Sequence, residues 1–445
     1  MKYIYFHIDE FNRDAITASV LKNEFKKHGW VLIYGNRVTS HILKYFEWAF
    51  DAVILPKPTF INSFFGYEKI SSLKSKYVML YTENIGIIAN DKFPKMVLKG
   101  ALDEEFMSGR TACVERVDAF CFWGAQVAGL VKKTYASIEN KCFIVGHPRH
   151  DLKALNNKNS KKNTVGLISR YCTINDYYSK SPIEQIFDRY TKKQMYEYYN
   201  NYNGDYLKWE RRGQFPEEDL YLEAVDIKNT ILLIISLNER GYKVSFKIHP
   251  REKTSTWIEV FKKHNLKVEI VNSDIPFTHW AQDKLAIVGP PSTSFYDCLM
   301  IGTRPISISN LYSEREQFVS KLYEENNKLM PYIDSPNTID DLILLLDKPL
   351  NLSSKVLKVL RLEADYPNCK DSAMKIGNVL KTILKESSKG YLRMALGRQL
   401  YSLISFLFNF SIGIGRRLKI LGASHSANFL LTPSTIKHIN RMVKK

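Results

Sequence analysis

Lys247-Ile248-His249-Pro250-Arg251-Glu252 and, further along, Gly289-Pro290-Pro291-Ser292-Thr293-Ser294 are the two stretches on which the fold turns. Each follows a short apolar run of strand character, Val244 to Ile248 and Leu285 to Val288. The second opens a helix, Phe295 to Ile301, that stops at Gly302, and Arg304-Pro305-Ile306 begins another strand. Strand, loop, helix and strand in this order are the repeating unit of a parallel sheet. Both loops are then expected at the carboxyl edge of one sheet, where open α/β sheets bind ligands. One loop offers the His249 imidazole and the Arg251 guanidinium on either side of Pro250. The other offers the hydroxyls of Ser292, Thr293 and Ser294 and the N–H groups of a helix start, which together suit a phosphate. Asp297, one turn into that helix, can bind ribose hydroxyls or be an ordinary solvent-facing acid. The pair reads as a nucleotide-phosphate site.

Working outward, Thr164 to Ile168 is a further strand, and Ser169-Arg170 at its end add a hydroxyl and a second guanidinium. Glu217 to Arg240 has acids in its first turn, aliphatic residues at helical spacing and Gly241 as a stop. Between them, Cys172 to Pro216 is polar and rich in tyrosine and reads as an insertion. Lys153 to Asn163 lacks periodicity and reads as a linker.

Before the linker the same alternation recurs. Tyr3 to Phe6, Trp30 to Tyr34, Asp51 to Leu55, Tyr77 to Tyr81, Asp118 to Phe122 and Cys142 to Val145 are short strands of β-formers. A helix is expected from about Ala15 to Lys27. Polar residues bunch after the strand ends. Three acids there, Asp9, Glu10 and Glu83, are candidates for a general base. Asp9 also suits a helix N-cap. His147 and Arg149 fall near the domain junction, where they can clamp an anion or form a loop salt bridge.

The chain of 445 residues is too long for one core, and 64 Lys and Arg against 46 Asp and Glu leave a net charge of +18. That excess favours anionic partners such as phosphate-bearing substrates or anionic lipid. No nucleic-acid-binding module accompanies it, and nucleic acid is not an expected partner. The six cysteines are scattered without a CxxC pair, as in a reduced intracellular protein. No secretion signal opens the chain, and no DxD, HExxH or Cys/His cluster marks a metal site. No cofactor is expected. From Ser387 onward there are ten Lys and Arg and no acid, around the apolar run Leu400 to Ile414. This tail reads as a basic amphipathic segment at a membrane surface, or as a helical hairpin on the second domain.

At these motifs the chain resembles the GT-B glycosyltransferases, and more narrowly the bacterial surface-carbohydrate biosynthesis proteins. Ile8 to Asp14, Tyr34 to Arg37, Phe122 to Gly124 and Val145 to Asp151 look like that group's signature stretches. Gly146-His147-Pro148 stands where Gly-Asn-Pro is usual, and Glu83-Asn84 where Glu-Gly is. The His249-Pro250 and Ser292 to Ser294 pair is similar to that of CMP-sugar-using Kdo- and sialic-acid transferases, and it occurs also in CDP-glycerol polymerases. The resemblance implies two Rossmann-like doubly wound parallel-sheet domains facing a cleft, 1–155 for the acceptor and 156–385 for the nucleotide sugar, with the tail at 386–445. It implies a metal-independent glycosyltransferase that moves a nonulosonic acid or Kdo from CMP to a lipid-linked or oligosaccharide acceptor of a surface glycan. His249 and Ser292 to Ser294 would hold the phosphate, Asp297 the ribose, and Glu83 the catalytic position. The expected location is cytoplasmic, peripheral at the inner face of the plasma membrane. A polyol-phosphate transferase and a non-catalytic nucleotide- or glycan-binding protein are the alternatives.

Overall fold

The computed structural model describes all residues except 57–60, 62–63, 66, 82–112, 152–162, 178, 185–215, 272–274, 312–328, 385–390, 419–429 and 443–445. The chain forms two compact units, Met1–Asn156 joined by Leu357–Lys445, and Asn157–Val356.

The first unit holds β1 (Tyr3–His7), β2 (Val31–Gly35), β3 (Ala52–Leu55), β4 (Lys76–Leu80), β5 (Ala119–Phe122) and β6 (Cys142–Ile144) in the order β2-β1-β3-β4-β5-β6, with every pairing parallel. These strands are nearly continuous apolar runs because helices cover both faces of a parallel sheet. The first helix spans Phe11–Lys27 and so begins four residues before the expected Ala15. Asp14 explains the early start. Its carboxylate turns back to accept the N–H groups of Asp9 and Glu10, each at 3.0 Å, and so ties the end of the β1 loop to the helix.

The second unit holds β7 (Thr164–Ile168), β8 (Lys243–Lys247), β9 (Val268–Ile270), β10 (Ala286–Gly289) and β11 (Arg304–Ser307) in the order β11-β10-β7-β8-β9, again all parallel. The strand order reverses at β7, so β10 lies on one side of it and β8 on the other. Gly289 permits the close approach of β10 to β7, since a Cβ there would stand 2.7 Å from the Ile168 carbonyl oxygen. The helix Pro216–Glu239 ends before Gly241, whose φ of +78° turns the chain into β8. Gly302 ends the helix Ser294–Ile301 in the same left-handed conformation.

The return of the chain differs from the sequence reading, which ran the second domain to 385 and set 386–445 apart. From Leu357 the chain belongs to the first unit. The helix Ser372–Ile383 buries Ile376, Val379 and Leu380 there. The long helix Tyr391–Arg417 docks beside the helix Arg37–Phe46. Its Tyr401 is 2% exposed and meets Phe50 edge-on, 5.3 Å between ring centroids, within the core that also contains Tyr5 and Val53. The Arg398 guanidinium lies 3.5 Å over the Tyr3 ring and donates to the Ala49 carbonyl at 3.1 Å. The hairpin alternative on the second domain is therefore replaced by a helix built into the first.

Candidate functional site

The loops after β10, β7 and β8 issue side by side from the carboxyl edge of the second sheet, at the point where its strand order reverses. Hydrogen bonds tie them together. The Ser169 hydroxyl, after β7, accepts the His249 N–H at 2.9 Å, and Arg170 donates to the Pro291 carbonyl at 3.0 Å. Ser292 accepts the Ser294 N–H at 3.2 Å, and the two hydroxyls are 2.7 Å apart. His249, Pro250, Ser292, Thr293 and Ser294 are half-buried, Arg170 and Arg251 are exposed, and Ser169 is buried beneath them. The structure thus brings together the residues that the sequence singled out for the nucleotide. Asp297 lies in the first turn of the helix Ser294–Ile301 and is 5% exposed.

The turn around His249 sets the chemistry of its ring. Pro250 bends the chain so that the Arg251 N–H donates to His249 Nδ1 at 3.2 Å. The Cys172 sulfur also sits 3.1 Å from Nδ1. An Nδ1 that accepts from the backbone leaves the ring proton on Nε2, and a neutral histidine then has Nε2–H as its donor. Burial pushes the Cys172 thiol up, reinforced by Glu252 and Glu223, so the thiol stays protonated and donates to the ring. Next in sequence, Glu252 is 2% exposed and accepts the Tyr171 N–H and the Trp257 indole N–H, both at 2.9 Å. It thereby joins the loop after β7 to the loop after β8. Burial raises its carboxyl above the ordinary range.

Cys172, His249 and Glu252 bring their ligand atoms within 4.8 Å of one another, the spacing of a metal site among the described residues. Nδ1 of His249 accepts the Arg251 N–H, and the two Glu252 carboxylate oxygens accept the Tyr171 and Trp257 N–H groups. The Arg251 N–H and Cys172 hold the imidazole at Nδ1, and Glu252 ties the two loops together. Nothing in the sequence signals this arrangement, because Cys172 stands far from the loop in the chain and Trp257 reads as a core residue.

Glu223, on the helix Pro216–Glu239, supports the same loop from below by accepting the N–H groups of Thr173, at 2.9 Å, and Ile174, at 2.8 Å. Burial overrides these bonds and raises its carboxyl from the usual 4.5 to about 7. The folded protein therefore keeps a proton that the unfolded chain releases between pH 4.5 and 7. Its contribution to stability is full below 4.5 and is lost as pH rises through 7. The Glu223→Gln variant is expected to lose less stability than the wild type between pH 5 and pH 8, by up to about 3 kcal/mol. Denaturant titrations at the two pH values check this, and equal losses would refute it.

In the first unit the candidate acids have distinct surroundings. Asp9, at the carboxyl end of β1, is 6% exposed and accepts the Arg37 guanidinium at 2.9 Å, with Arg13 at 3.6 Å. The capping role expected of Asp9 falls to Asp14. Glu10 is half-buried at the start of the first helix, with no side-chain cap bond. Glu83 lies outside the described residues. His147 and Arg149 form a second His-Pro-Arg turn after β6, with the Arg149 N–H donating to His147 Nδ1 at 3.2 Å. The expectation of an anion clamp meets a buried stack instead. His147 is fully buried, 4.5 Å from the Trp123 ring, and Arg149 lies 4.4 Å over the same ring and donates to His150. Burial and the adjacent Arg149 hold the His147 imidazole neutral. Gly146 lets the returning chain pack close beside it, because a Cβ there would collide with Ser372 and Cys369. All six cysteines are free thiols.

A surface cavity of about 880 Å³ opens at the amino ends of β7, β8 and β9, lined by Asn163, Asn238, Lys243, Lys267 and Glu269 among others. That is the edge opposite the loops after β7, β8 and β10.

No family model matches the chain, and no curated protein matches it in sequence. Solved structures do. The wall teichoic acid polymerase TagF with CDPG is similar at a TM-score of 0.50 and 9% identity, over 86% of this chain and 89% of that one. A UDP-GlcNAc 2-epimerase from Methanocaldococcus jannaschii is similar at 0.44 and 15%, over 86% and 100%. The S. aureus MnaA–UDP structure is similar at 0.44 and 12%, over 87% and 98%. With TagF the chain shares its fold, two doubly wound parallel-sheet units of GT-B type.

Proposed function

We propose that the protein is a GT-B glycosyltransferase that moves a sugar from a CMP-activated donor, a nonulosonic acid or Kdo, onto a growing surface glycan. The observation that carries this reading is the convergence of His249, Ser292 to Ser294 and Arg170 at the strand-order reversal of the second sheet. In this reading the helix start and its hydroxyls hold the donor phosphate, and His249 Nε2–H meets the charge that develops on it as the sugar leaves. Arg170 and Arg251 supply positive charge, and no metal is required. Asp297 takes the ribose. The first unit carries the acceptor, an oligosaccharide or a lipid-linked glycan, and one of its carboxylates serves the acceptor hydroxyl. The Asp9 carboxylate is engaged by two guanidinium groups, so Glu10 and Glu83 are the preferred candidates. The protein works as a peripheral protein at the inner leaflet.

Calorimetry with CMP, CDP and UDP tests the donor assignment. CMP is expected to bind tightest, and Ser292→Ala and Arg170→Ala are each expected to weaken it by about tenfold, the loss of one charge-assisted contact. Absence of nucleotide binding would remove the assignment. The TagF fold, solved with CDPG, supports a second reading in which the donor is a CDP-polyol and a polyol phosphate is transferred. Tighter binding of CDP than of CMP would favour it.

A further inference from the structure

The tail helix Tyr391–Arg417 has two unlike faces. Its docked face buries Met394, Gly397, Arg398, Tyr401 and Asn409. At Gly397 the contact is so close that a Cβ would stand 2.6 Å from the Trp48 ring. On the other face Leu396, Leu400, Leu403, Leu407, Phe410 and Ile414 follow one another at alternating spacings of four and three, each between 40 and 58% exposed. Ile404 and Phe408 widen this stripe on one side, and Phe406, stacked on Phe410, widens it on the other. At about 100° per residue these side chains span about 200° of the helix circumference. A two-helix seam uses only a narrow stripe and would leave both flanks in water, whereas a lipid phase covers the whole arc.

Charge points to the same occupant. No Asp or Glu occurs from Ser387 to Lys445, and Lys389 and Arg393 precede the apolar stretch while Arg416, Arg417 and Lys419 follow it. Among the described residues no helix is long and apolar enough to cross a membrane. An apolar face with basic ends, on a helix that does not span, matches a helix lying among the headgroups of an anionic leaflet.

We propose that this arc of the tail helix is buried in the plane of an anionic bilayer, and that Arg398 and Tyr401 seat the first unit on the membrane by one fixed side. The proposal deepens the membrane-acceptor reading but does not depend on catalysis. The test is sedimentation of the full chain with vesicles of phosphatidylcholine containing phosphatidylglycerol, and with phosphatidylcholine alone. Wild type is expected to partition to both and at least threefold more strongly to the anionic vesicles. The combined Leu403→Glu, Leu407→Glu and Phe410→Glu variant is expected to bind at least tenfold more weakly, with unchanged thermal unfolding. Phe410→Glu alone is expected to lose at least threefold, which keeps the test open should the triple variant misfold. A wild type that stays in the supernatant overturns the proposal, as does a variant that binds as tightly. So does a lipid-free dimer by light scattering that the same substitutions split and that ignores vesicles. His249→Ala is expected to sediment as wild type does. In the wild type, CMP release without vesicle binding would sink the lipid face alone, and vesicle binding without CMP release would sink the catalytic reading alone.

Discussion

Replacing His249 with alanine is expected to lower kcat/KM for a CMP-activated sugar by about 100- to 1,000-fold, the loss typical of removing one preorganised donor from a developing charge. The effect is large because the donor is fixed before the substrate arrives. The Arg251 N–H and the Cys172 thiol meet Nδ1, an arrangement that favours the Nε2–H tautomer the proposed role needs. The loss is expected mainly in kcat, since in the proposed reading Ser292 to Ser294 and the helix start would still hold the ground-state phosphate. His249→Asn, which retains a side-chain N–H, is expected to recover part of the rate. Release of CMP measured for the three proteins decides the matter, and an unchanged rate in the alanine variant would remove the phosphate role from this residue.

The second large effect concerns Glu252, and it is one of stability. Glu252→Ala leaves the Tyr171 N–H and the Trp257 indole N–H buried without their acceptor. Each orphaned buried donor costs about 1–3 kcal/mol, so a loss of ~2–6 kcal/mol is expected. Urea denaturation measures it. The site should suffer with the fold, because the loops after β7 and β8 meet through this carboxylate. A weaker CMP affinity at a temperature where the variant is still folded is the expected companion. A loss below about 1 kcal/mol would mean that water or a neighbouring carbonyl replaces the carboxylate.

The convergence of the His249 and Ser292 loops was legible in the sequence for a simple reason. His249 and Ser292 to Ser294 each follow a strand that ends abruptly, and a parallel sheet carries all its strand ends to one edge. Gly241 and Gly302 were legible as stops because helices commonly end in a left-handed residue. What stayed hidden depends on contacts between residues distant in the chain. Cys172 at His249, Glu223 under Thr173 and Glu252 between two loops have no periodic signature. Asp14 was hidden differently, because a polar run such as Asn12-Arg13-Asp14 looks like loop until its carboxylate is seen to bond backwards. His147 reads like His249 in sequence, with Pro and Arg behind it in both cases. Only burial separates them, and burial belongs to the Trp123 ring and the returning helices. The return at Leu357 was illegible because amphipathic helices show which face they bury but not against what.

The insertion of Tyr401 among Tyr5 and Phe50 bears on how the protein is handled in the laboratory. The tail invites deletion as a sticky appendage. Cutting the chain before residue 391 would withdraw an aromatic wedge from the middle of the first unit and uncover the strands beneath it. A shortened version would exchange a greasy exterior for a hollow interior. Solubility is better sought by recharging the outward leucines while leaving the wedge in place.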